Sequence, residues 1–319
     1  MYCVKQRKDM VNFTRFDSII SLASYFSNEE ICRQFLKEQR WGNVVVCPYC
    51  GSVHVYACGD GKRFKCDGCG NKFSVLVGTI FENTKLPLRK WFMAMYLLSS
   101  HKKGVSSHQI ARDIEVTQKT AWFILHKIRT LLGQDDNVTL ADEVECDEAY
   151  MGGREKNKHE SKRTEATRGR STKTKTPVFG MVQRGGKVVA KKVADTGCNT
   201  LSAAIRQYVK LGSRIFTDEW IGYKTLKESE YKHDFVRHNV KEFVNGDIYT
   251  NTIEGFWGQL KRMIIGVYHF TSAKYLQRYV DEAVFRYNTC RCSEGERFSL
   301  MMRRSAAKFD YYDVVNMAA

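Results

Sequence analysis

Three carboxylates in three different settings carry the chemistry that this chain could do: Asp147 in VECDEAYMGG, Asp218 in RIFTDEWIGY and Glu254 in TNTIEGFWGQLKR. Asp147 and Asp218 each close an apolar, β-branched run with the pattern of a buried strand. Glu254 stands in a stretch with helical spacing, so a fold can bring all three to one point. Converging carboxylates without a counter-charge repel one another, which makes a shared cation the expected partner. A hard ion, Mg2+ or Mn2+, suits an all-oxygen donor set. Two such ions can activate a water or a 3′-hydroxyl and stabilise the leaving oxygen of a phosphodiester, which implies chemistry that cuts and joins DNA.

The elements that must position these acids narrow the choice further. Neighbouring residues of a strand point to opposite faces, so Asp147 and Glu148 are not expected to serve one ion, nor are Asp218 and Glu219. On the helix, Asn251, Glu254, Trp257 and Lys261 recur at steps of three, three and four and share a face. Glu254 can then face the metals while Lys261, two turns on, reaches a phosphate; Arg262 falls off that face. Seen alone, an Asp at a strand end is more often a turn or cap residue than a ligand. It is the joint pattern, with a lysine beyond the last acid, that favours the metal. Phe256, Trp257, Trp220 and Tyr223 read most simply as core residues, and His238 and His269 as structural histidines.

The second chemical signal is a pair of knuckles, CPYCG and CDGCG, in which Cys47, Cys50, Cys66 and Cys69 offer four thiolates at ribbon spacing. Each pair is followed by a glycine suited to a tight turn, so a tetrahedral Zn2+ is the expected occupant, and its role is structural. A redox pair would need no twin at this spacing. His54 and Cys58, between the knuckles, are expected to be packing or surface residues. The chain has eleven cysteines, and those outside the knuckles read as free thiols of a reducing compartment.

The 319 residues allow two or three domains, and 43% hydrophobic with 12% aromatic residues is an ordinary globular composition. With 51 Lys and Arg against 35 Asp and Glu, the net charge of +16 points to a polyanionic partner, nucleic acid rather than membrane. No apolar run reaches the roughly 18 residues of a membrane span, and the first ten residues lack the apolar core of a secretory signal. A cytoplasmic protein associated with the nucleoid is expected.

Along the chain, residues 1–43 read as a helical lead-in, with Ser27 and Asn28 as a capping signal, and residues 44–80 as the zinc ribbon. Residues 85–133 read as a DNA-binding helix-turn-helix. A first helix begins near Pro87, and two more flank a tight turn at Asp113 to Val116. Thr117 is the expected N-cap, placing Gln118, Lys119 and Thr120 where side chains reach base edges. The competing reading is a set of ordinary core helices burying Ala121, Phe123, Ile124, Leu125, Ile128 and Leu131. Residues 140–292 alternate strand, hairpin, helix, strand and helices, which predicts an α/β domain with a mixed sheet. Within it, the basic run between Gly153 and Pro177 has the composition of a solvated loop that could close on a DNA backbone. Residues 293–319 form a tail with no evident chemistry.

Taken together, CPYCG, CDGCGNKFSV, WFMAMYLL, SSHQIARDIEVTQKTAWFILHKI, VECDEAYMGG, FTDEWIGY, TNTIEGFWGQLKR and YLQRYVDEAVFRYNTC resemble the bacterial insertion-sequence transposases that join a zinc ribbon to a DDE core, relatives of the eukaryotic Merlin elements. The resemblance runs over nearly the whole chain. It implies a ribonuclease-H-like catalytic fold, two divalent ions, cleavage at transposon ends and transfer of a 3′-hydroxyl into target DNA, with Asp147 and Asp218 as the first two acids. It also implies a dimer or larger homo-oligomer, since two ends must be held at once. Some members of the family carry Asn at the third position, and here Asn251 and Glu254 share one helix face. Glu254 is favoured because a carboxylate neutralises a divalent ion and an amide does not. The alternatives are a DNA-binding regulator with an inert C-terminal domain and a nuclease or resolvase without strand transfer.

Overall fold

The computed structural model describes residues 16–133, 138–153, 159–164, 173–228, 231–237 and 244–306. Most of the basic run after Gly153, His238 and the end of the tail lie outside them. The described residues divide into two compact units, one holding those up to Leu131 and those of 291–306, the other those within Leu132–Cys290.

The first unit opens with α1 (Ile19–Tyr25) and α2 (Glu29–Trp41). The Asn28 side chain accepts the amide of Ile31 at 3.0 Å, and Glu29 and Glu30 in the first turn suit the positive end of the helix. Of the two capping candidates, Asn28 is therefore the cap. Next come the short antiparallel strands β1 (Val55–Ala57), β2 (Arg63–Cys66) and β3 (Lys72–Ser74), in the order β1-β2-β3. Their apolar side is small, so Phe64 and Phe73 use Trp41 at the end of α2 as their core, with ring centroids 5.8 and 5.9 Å from the indole. α3 (Leu88–Ser100) starts directly after Pro87, and the Glu29 carboxylate accepts its first amide, that of Leu88, at 2.9 Å. α4 (Ser107–Asp113) and α5 (Gln118–Leu132) follow, joined by a turn in which Glu115 has φ of 52°. Ala121, Ile124, Leu125, Ile128 and Leu131 form the buried stripe of α5.

The second unit is built on β4 (Glu143–Met151), β5 (Thr176–Gln183), β6 (Val188–Lys192), α6 (Cys198–Tyr208), β7 (Arg214–Thr217) and β8 (Lys232–Phe235). The sheet order is β6-β5-β4-β7-β8; β4, β5 and β6 pair antiparallel, whereas β7 runs parallel to both β4 and β8. The sheet is thus mixed, as the element order predicts. β9 (Val244–Asn245) and β10 (Ile248–Tyr249) make a small hairpin that feeds α7 (Asn251–Met263), and α8 (Leu276–Asn288) follows.

Alternation along the strands sorts the core onto two faces. Val144, Cys146, Phe179 and Met181 face α6 through Leu201 and Ile205. Ala149, Val178 and Val182 face α7 and α8 through Ile253, Phe256, Trp257 and Val280. Helices on both sides explain why β4 and β5 are almost continuously buried. α8 therefore covers the sheet. Among the described residues, no helix is long and apolar enough to cross a membrane.

The segment expected to be a tail instead forms α9 (Glu294–Arg304), which rejoins the first unit and packs on α3. Phe298 closes an aromatic cluster there, with ring centroids 5.7 Å from Phe16 and 6.1 Å from Phe92.

Candidate active site and metal centre

The ligand atoms of Cys47, Cys50, Cys66 and Cys69 all lie within 4.8 Å of one another. Each knuckle is closed by a backbone bond, Gly51 N–H to Cys47 O and Gly70 N–H to Cys66 O, both 3.0 Å. Gly51 and Gly70 have φ of 76° and 70°, with open space around the missing side chain, so it is the left-handed backbone that requires glycine. The Asn71 amide also donates to Cys69 Sγ at 3.4 Å. Four convergent sulfurs with a donor aimed at one of them fit a structural Zn2+.

The acids are gathered by the sheet. In the parallel pair β4/β7, Glu145 lies opposite Phe216. Two residues further on, that register leads to Asp147 on β4 and to Asp218, the residue just past the end of β7. Asp147 is not at a strand end: β4 continues to Met151 because β5 pairs with it throughout, Gly180 standing opposite Asp147. What ends is β7, at Thr217, and Asp218 follows it directly. Beyond that point β4 has lost its parallel neighbour, and Asp147 keeps partial exposure.

Asp218 is buried, and its Oδ1 accepts the amide of Trp220 at 3.0 Å. Glu254, in the first turn of α7, is exposed, and so is Asn251. Loss of water, then the charge of Asp218 and, more weakly, that of Glu254, push the Asp147 carboxyl up to about 7, against a bond from Trp257 that favours its charged form. The three acids are less tightly drawn together than the thiols: among the described residues, the four cysteines are the one group of three or more such ligands within 4.8 Å. Glu148 points to the opposite face, where its carboxylate accepts the Tyr223 hydroxyl.

The model of the ISXO2-like transposase domain matches residues 139–288, and that of the transposase zinc-ribbon domain matches residues 27–72. A protein of the transposable element ISH50 from Halobacterium salinarum is 31% identical over 252 residues, covering 75% of this chain and 84% of that protein. The chain belongs to the ISXO2-like transposase family. A transposase-like protein of Haemophilus influenzae is 29% identical over 102 residues, covering 32% of this chain and 81% of that protein. A pre-cleavage Mos1 transpososome chain shares 13% identity over 72% of this chain and 82% of its own, with a TM-score of 0.26, too low to define the fold.

Several residues of this ISXO2-like transposase that shape the site are not singled out by the sequence for the contacts they make. Glu145, fully buried and two residues before Asp147 on the same face of β4, accepts the amides of Thr252 and Ile253 at 2.8 and 3.0 Å and the Thr252 hydroxyl at 2.9 Å. α7 lacks a side-chain cap from its own Thr250, so a carboxylate from the sheet takes that place. Arg184 pairs with Glu145 at 2.8 Å, donates to the carbonyls of Asp247 and Tyr249, both at 2.9 Å, and stacks 3.9 Å from the Phe216 ring centroid. In the sequence it is a turn residue beside Gly185. Trp257 is buried as expected, but its indole N–H donates to Asp147 Oδ2 at 3.0 Å. The signal that could have exposed Glu145 is a buried-strand pattern interrupted by an acid at the same phase as Asp147.

The three DNA-contact candidates of α5 differ. The Gln118 amide donates to Ser107 Oγ on α4 at 2.8 Å, and the Thr120 hydroxyl bonds to Thr117 at 2.9 Å. Lys119 is exposed.

Proposed function

We propose that this transposase binds the ends of its element through the zinc ribbon and a helix-turn-helix made of α4 and α5, then cuts and joins DNA at Asp147, Asp218 and Glu254. The observation that carries this reading is the β4/β7 register, Glu145 opposite Phe216, which two residues on leads to Asp147 and to Asp218 beyond the end of β7, beside α7 with Glu254 in its first turn. The sheet order, three antiparallel strands followed by two parallel ones, supports the ribonuclease-H-like reading of the domain. An all-carboxylate donor set fits Mg2+ or Mn2+. Bound there, two divalent ions would polarise the attacking water or 3′-hydroxyl and neutralise the leaving oxygen. The chain's own part is positioning: the Trp220 amide holds one oxygen of Asp218, the Glu145 cap holds the start of α7, and exposed Lys261 faces solvent two turns beyond Glu254 for a backbone phosphate. A homo-oligomer follows from the need to hold two ends.

The direct test is incubation of purified protein with labelled end DNA and Mg2+ or Mn2+, intact and as Asp218→Ala. Metal-dependent nicks and joined products from the intact chain alone are expected. Cut ends without joined products would favour a nuclease, and binding without nicks a regulator.

At the third position, Glu254→Gln is expected to lower cleavage at least about 10³-fold, well beyond the loss from Asn251→Ala. Single-turnover assays of the two variants would check this, and the reverse ranking would reassign the site.

In the helix-turn-helix, Lys119 is the candidate whose side chain is not committed to a neighbouring helix residue or cap. Lys119→Ala is expected to weaken end binding evenly across sequences and to lower the slope of log affinity against log salt by about 1. Titrations at several salt concentrations give that slope.

A further inference from the structure

Trp257 packs in the core between α7 and the sheet and also carries a polar contact. It lies three residues beyond Glu254 on α7, is 3% exposed, and sends its one polar hydrogen to Oδ2 of Asp147 at 3.0 Å. The contact needs space on the sheet, and Gly180, the cross-strand partner of Asp147, supplies it. A Cβ at Gly180 would sit 2.6 Å from Cη2 and Cζ2 of Trp257 and 3.0 Å from Cδ1 of Ile253. Gly180 has no positive φ, so it is clearance, not backbone freedom, that calls for glycine at this point of a buried strand.

We propose that Trp257 is a positioning residue for catalysis, its indole N–H fixing the orientation of the Asp147 carboxylate and tying the helix that carries Glu254 to the strand that carries Asp147. The inference rests on the reading of these acids as metal ligands. The bond engages one carboxylate oxygen and sets the plane of the group before an ion binds, which removes rotamers that would otherwise have to be frozen at each binding event. Glu254 is held between two attachments of the same helix to the same strand face, the Glu145 cap on Thr252 and Ile253 and the Trp257 bond to Asp147.

The test compares the full chain with Trp257→Phe, Asp147→Asn and a variant bearing 3-benzothienylalanine at position 257, which keeps the bicyclic shape and lacks the N–H. Nicking of labelled end DNA is measured across a Mg2+ titration, alongside DNA binding without added divalent ion and thermal melting. Both substitutions at 257 are expected to bind DNA as the intact chain does. They should cleave about 10- to 100-fold more slowly and need more Mg2+ for half-maximal rate. A purely structural tryptophan would leave the Mg2+ midpoint in place for the benzothienyl variant, whose packing is preserved. Should Trp257→Phe fail to fold, the benzothienyl variant decides alone. Wild-type rate and Mg2+ midpoint for it, with Asp147→Asn inactive, overturn the inference and leave the site standing. Wild-type cleavage by Asp147→Asn overturns the site reading itself.

Discussion

Asp147→Asn is expected to leave the transposase folded and bound to DNA while cutting strand cleavage at least about 10³-fold, and at alkaline pH to melt higher than the native chain when no divalent ion is added. The first effect is the loss of a carboxylate proposed to hold the metal ions, and the second is electrostatic. The Asp147 carboxyl is pushed up to about 7, first by loss of water and then by the charge of Asp218. Between the ordinary carboxylate range and that value, the folded chain holds a proton that the unfolded chain has released. The contribution of this group to stability is then fully present below the ordinary carboxylate range and is lost as pH rises through about 7. Asparagine carries no ionisation and no such decline. Added Mg2+ should restore the loss in the native chain at pH 8 and do little for the variant. Melting curves at pH 5 and pH 8, with and without Mg2+, test this, and identical pH profiles for the two proteins would refute it.

Stripping zinc should have an effect of comparable size in the other unit. Apparent binding free energies for structural zinc in small domains run to about 10–16 kcal/mol. The ribbon here has little else to hold it: three strands of three or four residues and a core made of Phe64, Phe73 and Trp41. A strong chelator, or Cys66→Ser, is expected to unfold residues 44–80 and to reduce end binding by about 100-fold or more, on the scale of a lost folded module. Trp41, 8% exposed against the ribbon, should report the change in its fluorescence. Zn2+ should reverse the chelator's effect and Mg2+ should not. End binding that survives full chelation would show that the ribbon is dispensable for recognition.

Much of this architecture is legible in the sequence because it depends on short-range signals. The knuckles announce themselves through paired cysteines and glycines, and β5 and β6 through two apolar runs about Gly185. α5 is announced by a stripe of apolar residues after Thr117, whose hydroxyl accepts the amide of Thr120 at 3.3 Å. The mixed sheet follows from the alternation of such elements. What the sequence hides is pairing at long range. Asp147 looks like the end of a strand because the apolar run stops there, yet β5 continues to pair with β4 and carries it on to Met151. The bonds from Glu145 and Asp147 to α7 span 107 to 110 residues, and neither has a local marker. Gly180 reads as an ordinary strand residue until the indole beside it is known. Likewise Gln118 looks free to read DNA until Ser107 is found within reach of its amide.

The return of α9 to the first unit means that the chain crosses between the two units twice, once near Leu131 and once near Cys290. The second unit is therefore an insertion within the first, not an appendage to it. A fragment that stops before Ser293 would lack Phe298 and leave Phe16, Phe26 and Phe92 open to water. Grafting a related second unit onto this first one would accordingly need two splice points, with the final helix retained from the recipient.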